Sequence, residues 1–468
     1  MGRRRRNTDL LIIGGGAVGS LLASLAARAG WQTLLVEPQP LWSLVPPAGA
    51  AAAGTATAGA AAAGAAAANG DAAAMGEAAA IGRASLSSLP VDALPIDARD
   101  YALAAGSVQI LEDLGYWSRL QAYAQPIVEI QVSQTGSFGQ VRLLATQHQR
   151  PALGWVLSAT RLTQVLRDIA LESGVSFLEQ TTLQTVEAPT AERRTALVSG
   201  PDGLQRVAAR LIVAADGVGS PTRAAAGIEI ERRRYAADAL VCTVRPSAAH
   251  RGRAYERFTS EGPLALLPRL DGAMNVVWVA PPARVDERIA LAPELRMAEL
   301  QGAFGWRLGR LQATGPVQRF PLERILARRL YDARLVLVGN AAHGLHPVAG
   351  QGFNLCLRDV AHLAAWMVKT RDPGEPLGLA QYAAQRQPDI ERLATITDGL
   401  ARWLTVEHPG LRHGVGQALG WLDRLPPLRD ALARYAMGLQ PMPRSVLRTL
   451  ARDPTHAANR IHSTRTDS

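Results

Sequence analysis

Leu10-Leu11-Ile12-Ile13-Gly14-Gly15-Gly16-Ala17-Val18-Gly19 is the stretch on which the fold turns. Four consecutive apolar residues running into glycine predict a buried parallel strand. Residues 17–29 read as a helix that Gly30 stops, and residues 33–36 as a second strand ending at Glu37. The result is a β-α-β unit with G-x-G-x-x-G at its first turn. Gly14 permits the tight turn, Gly16 lets backbone approach a pyrophosphate, and Gly19 lets helix and strand pack closely, with Ala17 and Val18 between them. The free N–H groups of the helix N-terminus favour that phosphate. Glu37 stands where a carboxylate accepts hydrogen bonds from the adenosine ribose hydroxyls. Strand, helix and acid together predict dinucleotide binding.

The whole chain has 468 residues, enough for about three domains of ~150 residues. Hydrophobic residues make up 48% and charged residues 19%, which excludes wholesale disorder. The formal charge is +10, but Lys369 is the sole lysine among the basic residues. With so much alanine, that points to a composition bias, and no zinc-finger spacing or aromatic-basic signature accompanies it, so no nucleic acid partner is expected. Cys242 and Cys356 are too far apart in sequence for a CxxC metal site and too few for a disulfide framework, so no metal is expected and a reducing compartment fits. Arg3 to Arg6 followed by an uncharged run resembles a signal peptide, but Gly14, Gly15, Gly16 and Gly19 interrupt that run in a pattern of their own. No other segment is apolar enough to span a membrane, so a cytoplasmic protein is expected.

Residues 48–83 are almost entirely Ala and Gly. They offer few large side chains to bury, which predicts a disordered insertion without function. Beyond it, residues 101–120 have helical period, and 127–144 alternate like a β-hairpin around Thr135-Gly136-Ser137. A helix is expected over 160–171, apolar strands over 211–215 and 335–338, a strand-rich region over 235–279 and a helix over 352–368. From Pro376 onward the pattern is helical throughout.

Further motifs follow the later strands. Asp216-Gly217-Val218-Gly219-Ser220-Pro221-Thr222-Arg223 comes after the strand 211–215. Gly339-Asn340-Ala341-Ala342-His343 comes after the strand 335–338. It continues through His346-Pro347-Val348-Ala349-Gly350-Gln351-Gly352-Phe353-Asn354 to Arg358-Asp359. His343 and His346 invite a general-base reading, which packing and loop hydrogen bonds match equally well. Cys356 reads as a small buried residue rather than a reactive thiol.

With these motifs in order, the chain resembles the FAD-dependent aromatic hydroxylases of the para-hydroxybenzoate hydroxylase fold, and within them the ubiquinone-biosynthesis branch. Asp97-Ala98-Arg99, Gly115-Tyr116-Trp117, Tyr255-Glu256-Arg257-Phe258, Gly262 to Pro268 and Ala303 to Gly309 carry the likeness along most of the chain. The resemblance implies an α/β fold: a discontinuous Rossmann-like FAD domain (7–45, 84–125, 153–226, 325–375), an inserted mixed β-sheet substrate domain (126–152, 227–324) and C-terminal helices (376–468), with 46–83 as the Ala/Gly insertion. It also implies that Asp216 and Gly217 form the D-G motif that binds the cofactor, and that the segment with Asn340 holds the FAD ribityl and phosphate region. Pro347, Gly350, Gln351, Gly352 and Asn354 would lie beside the flavin ring, while Arg99 nears the pyrophosphate and Gln164 contacts the flavin. Many relatives carry Asp in place of Asn340 and an acid in place of Ser158.

The activity so implied is monooxygenation of a polyprenylated methoxyphenol by way of a flavin C4a-hydroperoxide, with O2 and NAD(P)H as co-substrates and no acid-base triad. A wall of residues 263–268 and Trp278 would face the flavin. The alternatives are a sister hydroxylase acting at another ring position, or a non-catalytic flavoprotein subunit of a biosynthetic complex. Peripheral contact with the inner face of the cytoplasmic membrane is a further expectation. Leu428, Ala431, Leu432, Tyr435 and Leu439 recur at helical spacing, and Arg444, Arg448 and Arg452 share one face of a following helix. The competing reading packs that apolar stripe on the protein.

Overall fold

A computed structural model describes residues 4–40, 100–137, 139–345, 351–404 and 424–439. The Ala/Gly-rich insertion, Arg99, His346, Pro347, Gly350 and Arg444 to Arg452 lie outside the described residues.

The fold is mixed α/β. Its first sheet has at its centre the parallel strands Leu335–Leu337, Gly203–Ala214, Arg4–Ile13, Thr33–Val36 and Ser176–Leu178, in that spatial order. Leu10, Leu11, Ile12, Leu35, Leu211 and Ile212 are completely buried, as strands covered on both faces require. The first strand begins at Arg4, earlier than its apolar run, because Arg4 to Thr8 pair with the outer half of Gly203–Ala214. Register places Ile13 beside both Val36 and Ala214, and Ala214 beside Leu337. The strands therefore end level, and whatever follows them clusters at one edge.

Residues 100–104 depart from the helical expectation. Asp100–Ala104 is a strand, paired antiparallel with Gly154–Ser158, and the helix starts only at Ala105. Alternation over these few residues is hidden by the helical period downstream, and the pairing partner is remote in sequence. Asn354 fixes the strand from the other side.

The second sheet runs His343–Gly344, Gln318–Ala327, Ile230–Pro246, Met274–Ala280, Pro263–Pro268, Arg253–Phe258, Glu129–Gln134, Gln140–Leu144. The predicted hairpin is the pair Glu129–Gln134 and Gln140–Leu144. Leu240, Cys242, Val276, Trp278, Leu264, Leu266 and Tyr255 pack on one face against the helices Pro282–Ala290 and Pro293–Phe304. The opposite face meets the small three-stranded sheet of Asp100–Ala104, Gly154–Ser158 and Gln125–Ile127: Ala254, Leu267 and Ile130 pack with Ile127 and Val156.

The helix Pro426–Ala436 covers the outer end of that face. Ala433 and Met437 are buried there with Val141, Leu143 and Leu153, and Leu432 and Leu439 pack beside them. Gly106 donates its N–H to the Met437 carbonyl at 2.8 Å, and a side chain at Gly106 would collide with Gly438. Of the stripe read as a membrane face, Leu432, Tyr435 and Leu439 are half-buried against the protein, while Leu428 and Ala431 are exposed. No helix of the described residues is long and apolar enough to cross a membrane.

Candidate functional site

Level strand ends bring the separated motifs together. Gly14 adopts φ +106°, and any side chain there would strike the Ala215 carbonyl. A side chain at Gly19 would strike the Gly14 carbonyl. Both glycines are therefore demanded by the protein itself. Gly16 is different: a Cβ there meets nothing within 4 Å. The Ala17–Arg28 helix starts at Gly16 without a side-chain cap. Free N–H groups and open space coincide at that point, as a pyrophosphate cradle requires.

Glu37 is buried and turned toward this loop. Its Oε2 accepts the Gly15 N–H at 2.7 Å, and its Oε1 accepts the Gln39 N–H at 3.1 Å. Arg167, on the helix Ala159–Glu172, lies 3.4 Å from Oε2 and donates Nε–H to the Gly15 carbonyl at 2.7 Å. Sequence reading missed Arg167. Its signal was the spacing from Gln164, one turn earlier on the same helix.

Gln164 is completely buried, and neither its Oε1 nor its Nε2 has a partner among the described residues. Asp216 accepts the Thr222 N–H at 2.9 Å through Oδ2, while Oδ1 is buried without a partner there. Orphaned buried polar atoms beside an open glycine cradle fit a bound polar cofactor.

Arg223 joins the later motifs. Its Nη1 donates to the Ala341 carbonyl at 2.8 Å and its Nη2 to the Val218 carbonyl at 2.9 Å, while Ser220 caps the short helix Pro221–Ala225 through the Arg223 N–H. Gly339, at φ +63°, sits against Val18. Asn340 is exposed, and its Oδ1 lies 3.5 Å from the Cys356 sulfur. Gly352, in the first turn of the helix Gln351–Met367, would carry a Cβ into space free of described atoms. Asn354 is committed to the protein: Oδ1 accepts the Ala104 N–H and Nδ2 donates to the Ala102 carbonyl, each at 2.9 Å.

Behind this surface lies a buried polar network. Asp359 accepts His343 Nε2–H at 2.6 Å, the Gly339 N–H at 3.0 Å and Arg386 Nε–H at 2.7 Å. Burial would raise its carboxyl, but His343 and Arg386 outweigh it and hold the group at about 2. His343 is therefore a buried anchor, matching its packing reading. Arg386 comes from the helix Pro376–Leu404 and carried no local signal in the sequence. Burial pushes the Cys356 thiol far up and that of Cys242 up to about 12, so both are inert.

Trp278 corrects one expectation. It points to the helical side of the second sheet, where the Arg288 guanidinium stacks 3.6 Å from its ring. Alternation leaves Val277, Ala265 and Leu267 on the opposite face, where Leu267 packs with Ile127 and Val156.

A mixed α/β fold with this glycine cradle, an Asp-Gly turn and a third glycine turn at one sheet edge is a flavin-binding architecture. The FAD binding domain family matches residues 94–397, and the chain belongs to it: it is an FAD-dependent aromatic-ring monooxygenase. Ubiquinone hydroxylase UbiL of Rhodospirillum rubrum is 36% identical over 361 residues, 74% of this chain and 82% of that protein. The 3-demethoxyubiquinol 3-hydroxylase of Escherichia coli is 30% identical over 72% of this chain and 86% of its own. Among solved structures, p-nitrophenol 4-monooxygenase PnpA of Pseudomonas putida superposes with a TM-score of 0.69, covering 94% of this chain and 100% of that one at 14% identity.

Proposed function

We propose that the protein hydroxylates the ring of a polyprenylated methoxyphenol in ubiquinone biosynthesis. The observation that carries this reading is the placement of an apolar sheet face, Val277, Ala265 and Leu267, on the side of Ile127 and Val156. The names of the ubiquinone hydroxylases it resembles support the pathway. FAD, when bound, passes two electrons from a nicotinamide donor to O2 and presents one oxygen atom for transfer to the ring.

The chain's own part is to bind and position. The Gly16 cradle and the uncapped helix would hold the pyrophosphate, with Arg99 beside it, and Glu37 the ribose. Gln164 and Asp216 would take up polar groups of FAD with their orphaned atoms. Asn340, Gln351 and Gly352, with Pro347 and Gly350, would border the ribityl chain and the flavin ring. The apolar sheet face would orient the substrate and keep water from the reacting centre. Substrate arrives from the bilayer, so we assign a peripheral encounter with the membrane surface.

Mass spectrometry of quinone precursors in cells lacking the gene tests this. Accumulation of a prenylated phenol lacking one ring hydroxyl is expected, and the position of the missing hydroxyl separates this reading from a sister hydroxylase. Normal quinone levels overturn the proposal. Purified protein with FAD, NADPH or NADH and a short-chain prenylated methoxyphenol separates an enzyme from a non-catalytic subunit.

A further inference from the structure

The sheet face that meets Ile127 and Val156 is not uniformly covered. Positions paired straight across the sheet share a face. One such row is Ile130, Ala254, Leu267 and Asn275. Ile127 and Val156 close over it, and Asp100 reaches it through Asn275 and an ion pair with Arg269 at 3.0 Å. A second row begins at Gln134 and Phe258, both buried. Between them runs Val132, Glu256, Ala265 and Val277, and all four are only half-buried although they occupy the middle of an eight-strand path. Ile130 and Leu267 of the first row are half-buried as well, so the sheet face between the buried Gln134 and Phe258 on one side and Ile127 and Val156 on the other is incompletely covered by described residues.

Glu256 is the only charged residue on that strip. Among the described residues its carboxyl has no hydrogen bond or ion pair, whereas that of Asp100, at the same junction, is paired with Arg269. Glu129, Arg253 and Arg257 project to the other face of the sheet, as alternation requires. No charged neighbour among the described residues acts on Glu256; burial alone pushes its carboxyl up, to about 7. An unpaired carboxyl in an apolar row is costly to retain unless something polar arrives to meet it.

We propose that Glu256 is the catalytic base of the ring hydroxylation, taking the proton of the substrate's phenolic hydroxyl. This rests on the phenol reading above. The phenol O–H bond breaks, the proton passes to a Glu256 carboxylate oxygen, and the electron pair stays on the phenolic oxygen, raising electron density in the ring. The ring carbon then accepts one oxygen atom derived from O2, with two electrons from the nicotinamide donor reducing the other oxygen to water. That carbon releases its hydrogen as a proton, and Glu256 returns its proton to the phenolic oxygen. A base near 7 matches a phenol near 10 far better than an ordinary carboxylate near 4.3.

The test uses the full FAD-loaded chain and a short-chain prenylated methoxyphenol as probe. Binding is followed by the perturbation of oxidised flavin absorbance without reductant, and turnover with NADPH or NADH, both from pH 5.5 to 9. In the wild type, affinity and kcat/KM rise through about pH 7. Glu256→Gln is expected to keep its FAD, lose roughly 100-fold in kcat/KM and show no pH dependence of binding. Glu256→Asp is expected to recover part of the rate and a pH dependence. A Glu256→Gln protein with the wild-type pH profile overturns this inference alone. Failure of the wild type to bind or turn over the probe overturns the functional reading, and this inference with it.

Discussion

Arg167 and Glu37 meet 3.4 Å apart beneath the first glycine loop, and both also hold Gly15, one by its carbonyl and the other by its N–H. The acid that ends the second strand is thus built into the loop it serves. Replacing Arg167 by Met leaves the buried Glu37 without its cation. The expected cost is about 3–5 kcal/mol of stability. Chemical denaturation of wild type and variant measures it, and a loss below about 1 kcal/mol shows the pair to be incidental.

Gly14 and Gly16 stand two residues apart but answer to different partners. Gly16→Val projects into open space, so the apoprotein should keep its melting temperature while FAD affinity falls roughly tenfold or more, about 1.4 kcal/mol per factor of ten. Gly14→Val, at φ +106° against the Ala215 carbonyl, should damage folding itself. Flavin content and thermal melts of the two purified variants separate these effects. A Gly16→Val protein with full stoichiometric FAD defeats the cradle assignment.

Asp359 gives an acid-side signature. Its carboxyl lies at about 2 when folded, below the usual value of 3.8. A depressed carboxylate stabilises the fold above the unfolded value and loses that contribution as pH falls through the folded one. Stability should be complete above about pH 4 and decline toward pH 2, by roughly 2–3 kcal/mol from this group. In Asp359→Asn the decline should be smaller and the starting stability lower, because Arg386 and His343 lose their anion. Urea titrations across that range would show an unchanged slope if the network contributes nothing.

Glu256 has the opposite sign. Its carboxyl is raised to about 7 from 4.5, so the folded state holds the proton more tightly than the unfolded chain. Wild-type stability therefore falls as pH rises from about 4.5 to about 7, levels off above that, and is unaffected by this group below about 4.5. Glu256→Gln should be more stable than wild type at pH 8.5 by about 1–3 kcal/mol, with little difference at pH 4.5. Greater stability with lower activity is the pattern of a residue retained for chemistry. Equal stability at both pH values contradicts it.

Local signals made the first β-α-β unit, the level strands and the glycine turns legible in the sequence, because each is a run of apolar residues punctuated by glycine. The role of Arg223 was legible only as a spacing. Its two carbonyl partners, Val218 and Ala341, are 123 residues apart and become neighbours through sheet register alone. Arg386 carried no local signal, since a buried arginine in an arginine-rich chain looks like any other, and Arg167 had only its one-turn spacing from Gln164. Trp278 was misjudged because strand phase decides its face, and a one-residue shift reverses it. Asp100–Ala104 was hidden by the helix that follows directly.

The Asp359 network has a bearing on synthesis. Gly339 is held by Asp359, and Asp359 is held by Arg386, on a helix that begins at Pro376. A ribosome delivers the amino-terminal glycine cradle early, but the turn at Gly339 lacks its clamp until more than three quarters of the chain has been made. Nascent chains folding from the amino end would therefore present half a nucleotide site for most of their time on the ribosome. Cofactor loading becomes a late event of biogenesis, and a chain truncated before Arg386 should emerge colourless even with its glycine fingerprint intact.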